Sequence, residues 1–327
     1  MQSTAVAEKA HPIWPYVQIA RTDHWFKNVF MLLGVLVALF LDPSKVGLRH
    51  LPIVALALLA TCLVASSNYV LNELLDAATD RLHPVKRHRP AAAGQVRAPL
   101  AVAEWIGLAL VGLALAWAVH PYFAASALAL WVMGIVYNVP PLRTKEFPYL
   151  DVLSESLNNP IRLLLGWFAV IHDSVPPVSL FIAYWMAGAF FMAMKRLAEY
   201  RSIGDPQVAA SYRRSFRHYD EESLLVSLFF YVVAAALFSG VFVVRYHLEL
   251  ILALPLVAGF FAYYMKIGLR PDSPVQNPER LHRERGLVLY AAGCAVVVVL
   301  LMFSHIPVLY DLFNVQSAQT PPLWTLD

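Results

Sequence analysis

Residues 51–81 read LPIVALALLATCLVASSNYVLNELLDAATDR, a long apolar run with an acidic end. No charged residue precedes Glu73 in this run, and about 20 residues of apolar helix are enough to cross the hydrocarbon core of a bilayer. Asn72, Asp76 and Asp80 then follow at intervals of four, and on a helix this spacing places them on one face. The stretch therefore predicts a membrane-spanning helix that ends in a polar, acidic site at the membrane surface.

The whole 327-residue chain has the same membrane character. Apolar residues make up 59% of it and charged residues only 14%, with a mean hydropathy of +0.57. An average soluble domain carries about 25% charged residues, so this chain has too few to cover a soluble surface. The composition therefore argues against a soluble enzyme, a disordered chain or a secreted disulfide scaffold. Cys62 and Cys294 lie in apolar runs, and we interpret both as packing residues.

Nine apolar runs are long enough to be considered as membrane spans. They are residues 25–41, 51–75, 100–119, 122–138, 150–171, 176–199, 222–244, 248–268 and 286–306. The predicted fold is therefore all-α, a polytopic membrane protein with nine transmembrane helices. We expect residues 1–16 to form an N-terminal cytoplasmic arm, residues 17–306 a single transmembrane domain, and residues 307–327 a C-terminal tail, of which residues 316–327 are expected to be loose.

Basic residues are concentrated in every second loop between the predicted spans, which places most of them on one side of the membrane. The loops after spans two, four, six and eight, together with the last residues of the spans that lead into them, contain 18 of the 25 Lys and Arg residues. The positive-inside rule places these loops and the N-terminus in the cytoplasm. With nine spans the C-terminus lies outside, and we expect an integral protein of the cell (inner) membrane. The longest polar loops lie on the same side, which indicates the working face, although positive-inside bias alone also accounts for the charge.

The acidic end of span two carries the ligands expected of a hard metal ion. The candidate ligands are Asn72, Glu73, Asp76 and Asp80. Amide and carboxylate oxygens without soft ligands favour Mg²⁺, which substrate phosphates usually complete. The basic residues Lys86 and Arg89 follow within nine positions of Asp80, so the motif predicts a diphosphate-binding site. The alternative is a solvated helix end with pairs of charges four residues apart.

A second polar stripe runs down the predicted fifth span. Its members are spaced by three or four residues and share one helix face: Asp151, Ser154, Glu155, Asn158 and Arg162. Ionisable groups within a span usually face the bundle interior and mark a site. The alternative is an internal network of Asp151, Glu155 and Arg162 that holds helices together.

Further cations are placed at the same surface. They are Lys27 near span one, Arg143 and Lys145 after the Pro140-Pro141 break, Lys195 and Arg196 at the end of span six, and Arg213 and Arg214 in the loop beyond. Arginine binds phosphate through paired hydrogen bonds, and lysine acts as a point charge. For Lys27, an interfacial anchor beside Trp25 is the competing interpretation.

These motifs together resemble the UbiA-type intramembrane transferase superfamily. The resemblance rests on Asn72-x-x-x-Asp76-x-x-x-Asp80, on Arg89-Pro90 before Gly94, and on Tyr137-x-x-Pro-Pro-x-x-x-Lys145. Within the superfamily, the sequence is most similar to members that transfer a phosphoribosyl group from phosphoribosyl diphosphate to a polyprenyl phosphate. That closer similarity rests on Trp25-x-Lys27-Asn28, Tyr69-Val-x-Asn72, His83-Pro84-x-Lys86-x-x-Arg89-Pro90, Lys195-Arg196-x-x-Glu199 and Arg213-Arg214-Ser-x-x-x-Tyr219.

The resemblance implies nine membrane helices around a central cavity, with Mg²⁺ and diphosphate at its cytoplasmic end. Asn72, Asp76 and Asp80, assisted by Glu73, are expected to hold the metal and to be the catalytic residues. The expected substrate contacts are Lys27, Asn28, Tyr69, Lys86, Arg89, Lys145, Arg162, Lys195, Arg196, Glu199, Arg214 and Tyr219. The expected partners are polyprenyl phosphate, phosphoribosyl diphosphate and the membrane, with no nucleic acid. A homo-oligomer is compatible with the resemblance.

Two departures from the family pattern affect this interpretation. Glu73 stands where the similar members usually carry Asp. Relatives that use prenyl diphosphates usually carry a second aspartate-rich motif after span six, where this chain has Lys195, Arg196 and a single Glu199. Fewer acids and more cations favour a donor with an additional phosphate. Two alternatives stay open: a prenyltransferase of the same fold that acts on an aromatic acceptor, and a transporter.

Overall fold

The computed structural model describes residues 13–81, 86–276, 278–315 and 323–326. Within these ranges the chain is helical, and the only extended pairing is one bridge between Ser174 and Thr325. The helices are α1 (Trp14–Ile19), α2 (Leu32–Leu41), α3 (Leu51–Asp80), α4 (Ala98–Val119), α5 (Pro121–Asn138), α6 (Leu150–Ser156), α7 (Asn158–Phe168), α8 (Val178–Ile203), α9 (Pro206–Tyr212), α10 (Glu221–Tyr246), α11 (Leu254–Gly268), α12 (Arg285–Met302) and α13 (Pro307–Leu312). Most of the predicted N-terminal arm, and His83 and Pro84 of the predicted motif, lie outside the described residues.

Eight helical stretches of the described chain are long and apolar enough to cross a membrane. They are Trp14–Leu41, Leu48–Asp80, Ala98–Val119, Pro121–Asn138, Val178–Ile203, Glu221–Tyr246, Leu248–Gly268 and Arg285–Met302. Helices satisfy their backbone hydrogen bonds internally, as the bilayer core requires. The chain is therefore an all-α integral membrane protein, which confirms the class predicted from composition.

The bundle has two ends with different contents. At one end α3, α5 and α8 finish and α6 begins, and we call it the site end because the predicted site residues lie there. At the other end, the opposite end, α4 turns into α5 at His120. The ring of His120 stacks on that of His172 at a centroid distance of 4.0 Å, so the chain after α7 also lies at this end.

The predicted fifth span, residues 150–171, is not one helix, and the predicted count of nine is not confirmed. It divides into α6 and α7 at Leu157, three residues before Pro160. Proline has no N–H to bond to the carbonyl of Ser156, and its ring crowds the preceding turn. α6 and α7 together still connect the site end to the opposite end.

The helices pack through two apolar clusters and one very close approach. One cluster lies between α8 and α10, and the other lies among α2, α3, α5 and α7. α2 and α7 approach at Gly34 and Gly166, where an added Cβ would lie 2.1 Å from the Leu163 carbonyl oxygen and 1.8 Å from that of Met31. Only glycine fits at these positions, as is common where membrane helices pack backbone to backbone.

The predicted C-terminal tail is described at residues 307–315 and 323–326. Residues 307–312 form α13. The Leu326 amide donates to the Asp173 carbonyl at 2.8 Å, and the Val175 amide donates to that of Trp324 at 3.0 Å. A pairing this short needs no periodicity, so it could not be predicted from the pattern of the sequence.

Candidate active site

Asn72 and Asp76 on α3 face the end of α5 and the turn beyond it. Asn72 Nδ2 donates to Asn138 Oδ1 at 2.6 Å. Lys145 Nζ donates to Asp76 Oδ1 at 2.6 Å and to Asn138 Oδ1 at 2.8 Å. Arg143 donates to the same Asp76 oxygen at 3.2 Å. Asp76 therefore has two cationic partners, both from the segment after the Pro140–Pro141 break.

Glu73 and Asp80 face a different neighbour, the segment of residues 86–94. Arg89 donates to Asp80 Oδ2 at 2.7 Å, and the Ala91 amide donates to Glu73 Oε1 at 3.2 Å. Both acidic residues are buried. With 3.6 residues per turn, positions seven apart lie nearly above one another. The predicted single stripe is therefore two adjacent stripes, and Glu73 belongs to the side of Asp80.

This donor set fits Mg²⁺ as an open site rather than as a closed cage. Among the described residues, no three Asp, Glu, His or Cys side chains come together closely enough to hold a metal ion. Mg²⁺ does not require such a group, because proteins usually hold it through one or two carboxylates and leave the rest to water and substrate phosphates. The Asp76 side chain is 21% exposed and that of Asp80 only 7%, so Asp76 is the more accessible ligand.

Basic side chains from four segments lie near one another at the site end. Lys86 and Arg89 before α4 and Lys145 after α5 lie beside the acids of α3. Arg213 after α9 lies near Lys86 and Lys145 and also near Lys195 on α8, which pairs with Glu199. Burial, together with the positive charges of Arg213 and Arg89, lowers the pKa of Lys86 to about 8, against the opposing effect of Asp80 and Glu199. Positive charges that repel one another in this way are stabilised when an anionic ligand binds beside them.

Arg196 is not part of this group, and its predicted role as a phosphate contact is corrected. It is 1% exposed. Its Nε donates to Asp151 Oδ2 at 3.0 Å, its Nη2 donates to Glu155 Oε2 at 3.1 Å, and Glu199 lies 3.5 Å from Nη1. Three carboxylates thus neutralise one guanidinium. The alternative of an internal network of Asp151, Glu155 and Arg162 is wrong in its cation: Asp151 and Glu155 pair with Arg196, whereas Arg162 donates to Asn28 and to the Asn158 carbonyl.

Tyr219 supports the same network from the loop before α10. Its hydroxyl donates to Asp151 Oδ1 at 2.8 Å, and the residue is 5% exposed. Ser215 donates to the other oxygen of Asp151 at 3.2 Å. The expectation of a substrate contact at Tyr219 is therefore corrected: its hydroxyl orients the partner of Arg196.

Arg213 lies between this network and the cations of the site end. Its Nη1 is 3.8 Å from Asp151 Oδ2, and its buried Nε has no hydrogen-bond partner in the described structure. Arg214, the predicted substrate contact of this motif, has a 67% exposed side chain and pairs with Glu146 at 2.8 Å. Asn138 was missed as well, although it belongs to the segment that carries Lys145.

Four other predicted contacts have neighbours outside the ion pairs described so far, although Tyr69 precedes Glu73 on α3 by one turn and has Arg21 over its ring. Lys27 Nζ is 3.4 Å from His24 Nδ1, and the ring of Tyr69 meets that of His24 edge to face at 5.5 Å. Asn28 and Arg162 meet within the membrane-spanning part, where Arg162 Nε donates to Asn28 Oδ1 at 3.1 Å. The structure therefore divides the predicted substrate contacts between the site end and two separate clusters.

A helical membrane bundle with acids and cations gathered at one end is the arrangement expected of a transferase that handles phosphorylated substrates at a membrane surface. The model of the UbiA prenyltransferase family matches residues 29–280, and the chain belongs to this family. It is therefore a membrane-embedded transferase of the prenyltransferase type, and the transporter alternative is wrong.

Named relatives and a solved structure agree with this assignment. Decaprenyl-phosphate phosphoribosyltransferase of Mycolicibacterium smegmatis is 30% identical over 241 residues, which cover 68% of this chain and 71% of the relative. Nodulation protein NoeC of Azorhizobium caulinodans is 30% identical over 71% of this chain and 72% of its own. A UbiA homolog from Archaeoglobus fulgidus bound to DMAPP and Mg²⁺ has a similar fold, with a TM-score of 0.66, 21% identity, and coverage of 87% of this chain and 99% of that one.

Proposed function

We propose that the protein transfers a 5-phosphoribosyl group from phosphoribosyl diphosphate to a polyprenyl phosphate, with Mg²⁺, at the cytoplasmic face of the cell membrane. The observation that carries the proposal is the group of cations at the site end: Lys86, Arg89, Lys145, Lys195 and Arg213. A donor with a diphosphate and a separate 5′-phosphate carries the negative charge that such a group stabilises. The relative from Mycolicibacterium smegmatis, named as a decaprenyl-phosphate phosphoribosyltransferase, supports the same assignment.

The orientation in this proposal follows the charge of the loops. The basic site end faces the cytoplasm, where a soluble phosphorylated donor is available, and the opposite end faces outside. Arg196 is buried and is not among the cations that meet the donor. Arg213 is among them, because it lies near both Lys86 and Lys145.

Asp76 and Asp80, with Asn72 and Glu73 beside them, are the residues that would hold Mg²⁺. When bound, the metal stabilises the negative charge of the departing diphosphate. The surrounding cations bind and orient the donor phosphates. Positioning and fixed charge supply most of the rate in such a site.

The transfer needs no side chain as a base. The bond between C1 of the ribose and the diphosphate oxygen breaks, and the diphosphate leaves with the electron pair. A bond forms between C1 and an oxygen of the lipid phosphate. That oxygen is already anionic at neutral pH, so the chain's residues have only to orient it and to exclude water.

The decisive experiment compares two donors with purified protein in detergent and Mg²⁺. Radiolabelled phosphoribosyl diphosphate is offered with polyprenyl phosphate, and radiolabelled prenyl diphosphate is offered with an aromatic acid. We expect labelled phosphoribosyl lipid from phosphoribosyl diphosphate and no labelled prenylated acid from prenyl diphosphate, with Asp76→Asn as the inactive control; the products are separated from both donors before counting. Transfer from prenyl diphosphate, with none from phosphoribosyl diphosphate, would overturn the proposal.

That outcome would establish the second candidate, prenyl transfer to an aromatic acceptor. One observation favours it: Asp151, Glu155 and Glu199 neutralise Arg196, so the cation excess is smaller than the sequence indicated. The homolog from Archaeoglobus fulgidus bound to DMAPP belongs to the same fold.

A further inference from the structure

Arg162 is a cation within the membrane-spanning part of the bundle that has no carboxylate partner in the described chain. It lies on α7 and is half-buried. Its hydrogen bonds go to the Asn28 side chain and to the Asn158 carbonyl. A charged side chain in the membrane is costly, and it is normally paired or faces a site.

Neutral groups hold the guanidinium of Arg162 in one orientation. Nε donates to Asn28 Oδ1 at 3.1 Å, and Nη1 donates to the Asn158 carbonyl at 3.3 Å. Asn28 is fully buried, and its Nδ2 donates in turn to Cys62 Sγ at 3.3 Å. A guanidinium has five N–H donors, so most of its hydrogen-bonding capacity is left for a ligand.

A second unpaired polar atom lies beside it. Asn158 precedes Arg162 by four residues on the same helix face, and its Oδ1 is buried without a hydrogen-bond partner among the described residues. The two acids on this face nearer the site end have other partners: Glu155 accepts from Tyr137 and Arg196, and Asp151 accepts from Arg196 and Tyr219. The pair formed by Arg162 and Asn158 thus offers donors and an acceptor that the described protein does not use.

The position of this pair distinguishes it from the cations of the site end. Seven residues separate Glu155 from Arg162, which corresponds to roughly 10 Å along a helix toward the middle of the bundle. A soluble donor meets the cations of the site end first. A lipid phosphate, whose tail lies among the apolar helices, reaches the deeper pair.

We propose that Arg162, held by Asn28 and accompanied by Asn158, binds the phosphate of the lipid acceptor. The identification of that lipid as a polyprenyl phosphate rests on the proposed function. The anionic oxygens of the phosphate accept from the guanidinium, and its remaining hydroxyl donates to Asn158 Oδ1. Arg162 is therefore an acceptor-binding residue, distinct from the residues that meet the donor.

The test measures binding without turnover, with farnesyl phosphate and its uncharged analogue farnesol as probes. Wild-type protein in detergent is expected to prefer farnesyl phosphate. Arg162→Gln should weaken binding of farnesyl phosphate by about ten- to a hundred-fold, the size of one charge-assisted contact, and leave farnesol unchanged. The affinity for phosphoribosyl diphosphate with Mg²⁺ should stay the same. Arg245→Gln, at an exposed arginine of the opposite end, is the matched control.

A second pair of variants keeps the arginine and decides the matter if Arg162→Gln does not fold. Asn158→Asp supplies a carboxylate partner to Arg162 and should abolish the preference for farnesyl phosphate. Asn158→Ala removes one acceptor of the proposed site without adding charge, so it should reduce the preference and not abolish it. Unchanged phosphate preference in Arg162→Gln or in Asn158→Asp overturns the inference, as does weakened donor binding with unchanged farnesyl phosphate. If wild-type protein prefers farnesyl phosphate but does not transfer phosphoribosyl groups, the proposed function is wrong and the phosphate site at Arg162 is still supported.

Discussion

Replacing Asp76 with asparagine tests the candidate active site most directly, because it removes charge and keeps shape. In the structure, Asp76 Oδ1 accepts from Lys145 at 2.6 Å and from Arg143 at 3.2 Å. A hydrogen bond to a charged group contributes about 1.5–3 kcal/mol. The three side chains are 11–21% exposed, so water screens part of this. We expect Asp76→Asn to lower the free energy of unfolding by about 2 kcal/mol, less than for a fully buried pair.

Turnover should fall much further than stability, by about a hundred-fold or more, if Asp76 holds the metal that stabilises the leaving diphosphate. The assay is transfer of labelled phosphoribosyl groups by folded protein in detergent, with chelation of Mg²⁺ as a parallel measurement. Asp272→Asn is the matched control, because Asp272 lies in an exposed loop after α11 with φ near +51°, a conformation that asparagine tolerates.

A double variant separates a metal ligand from a structural counter-charge. Lys145 is itself among the cations proposed to meet the donor, so the reference is Lys145→Gln alone. If Asp76 serves only to neutralise Lys145, Asp76→Asn with Lys145→Gln should be as active as Lys145→Gln alone. If Asp76 binds the metal, the double variant should be far less active than Lys145→Gln alone. Equal turnover of the double variant and Lys145→Gln, or full activity of Asp76→Asn alone, would refute the metal assignment.

Three further changes have defined outcomes. Arg196→Lys should lower thermal stability because lysine cannot pair with three carboxylates at once. The donor KM of the protein that remains folded should not change, and a selective rise in donor KM would contradict this. Glu73→Asp should keep turnover but cost about 1 kcal/mol in unfolding experiments, because the shorter side chain loses the Ala91 amide. Lys86 has a pKa of about 8 and is cationic below it, so donor affinity measured by titration should weaken from pH 7 to pH 9, and Lys86→Arg should flatten that profile.

The sequence predicts the helices well where the signal is local. The predicted run 222–244 corresponds to α10 at Glu221–Tyr246, and the run 100–119 to α4 at Ala98–Val119. Length and hydropathy along one segment are sufficient for this, because each membrane helix satisfies its own backbone. The division of the fifth span at Leu157 was harder to predict, since Pro160 is tolerated in many membrane helices.

The partners of individual side chains could not be predicted in the same way. Arg196 is neutralised by Asp151, which lies 45 positions earlier in the chain. Arg213 and Arg214 are adjacent, and the turn after α9 decides which one lies inward and which one pairs at the surface. Helical periodicity places residues on a face, whereas these outcomes depend on which distant segment covers that face.

The ion pairs of the site end are arranged so that a metal-bound phosphate can replace them together. Asp76 is paired with Lys145, and Asp80 with Arg89, each at 2.7 Å or less. Mg²⁺ alone would bind the carboxylates and leave half-buried cations without a partner. A phosphate alone would bind the cations and leave the acids without a partner. Either result costs free energy. In the proposed function the two ligands bind as one complex. Asp76 and Asp80 then contact the metal in place of their cations, and Lys145 and Arg89 contact the phosphates in place of their carboxylates. Mg²⁺ and the donor should therefore bind more tightly together than either does alone.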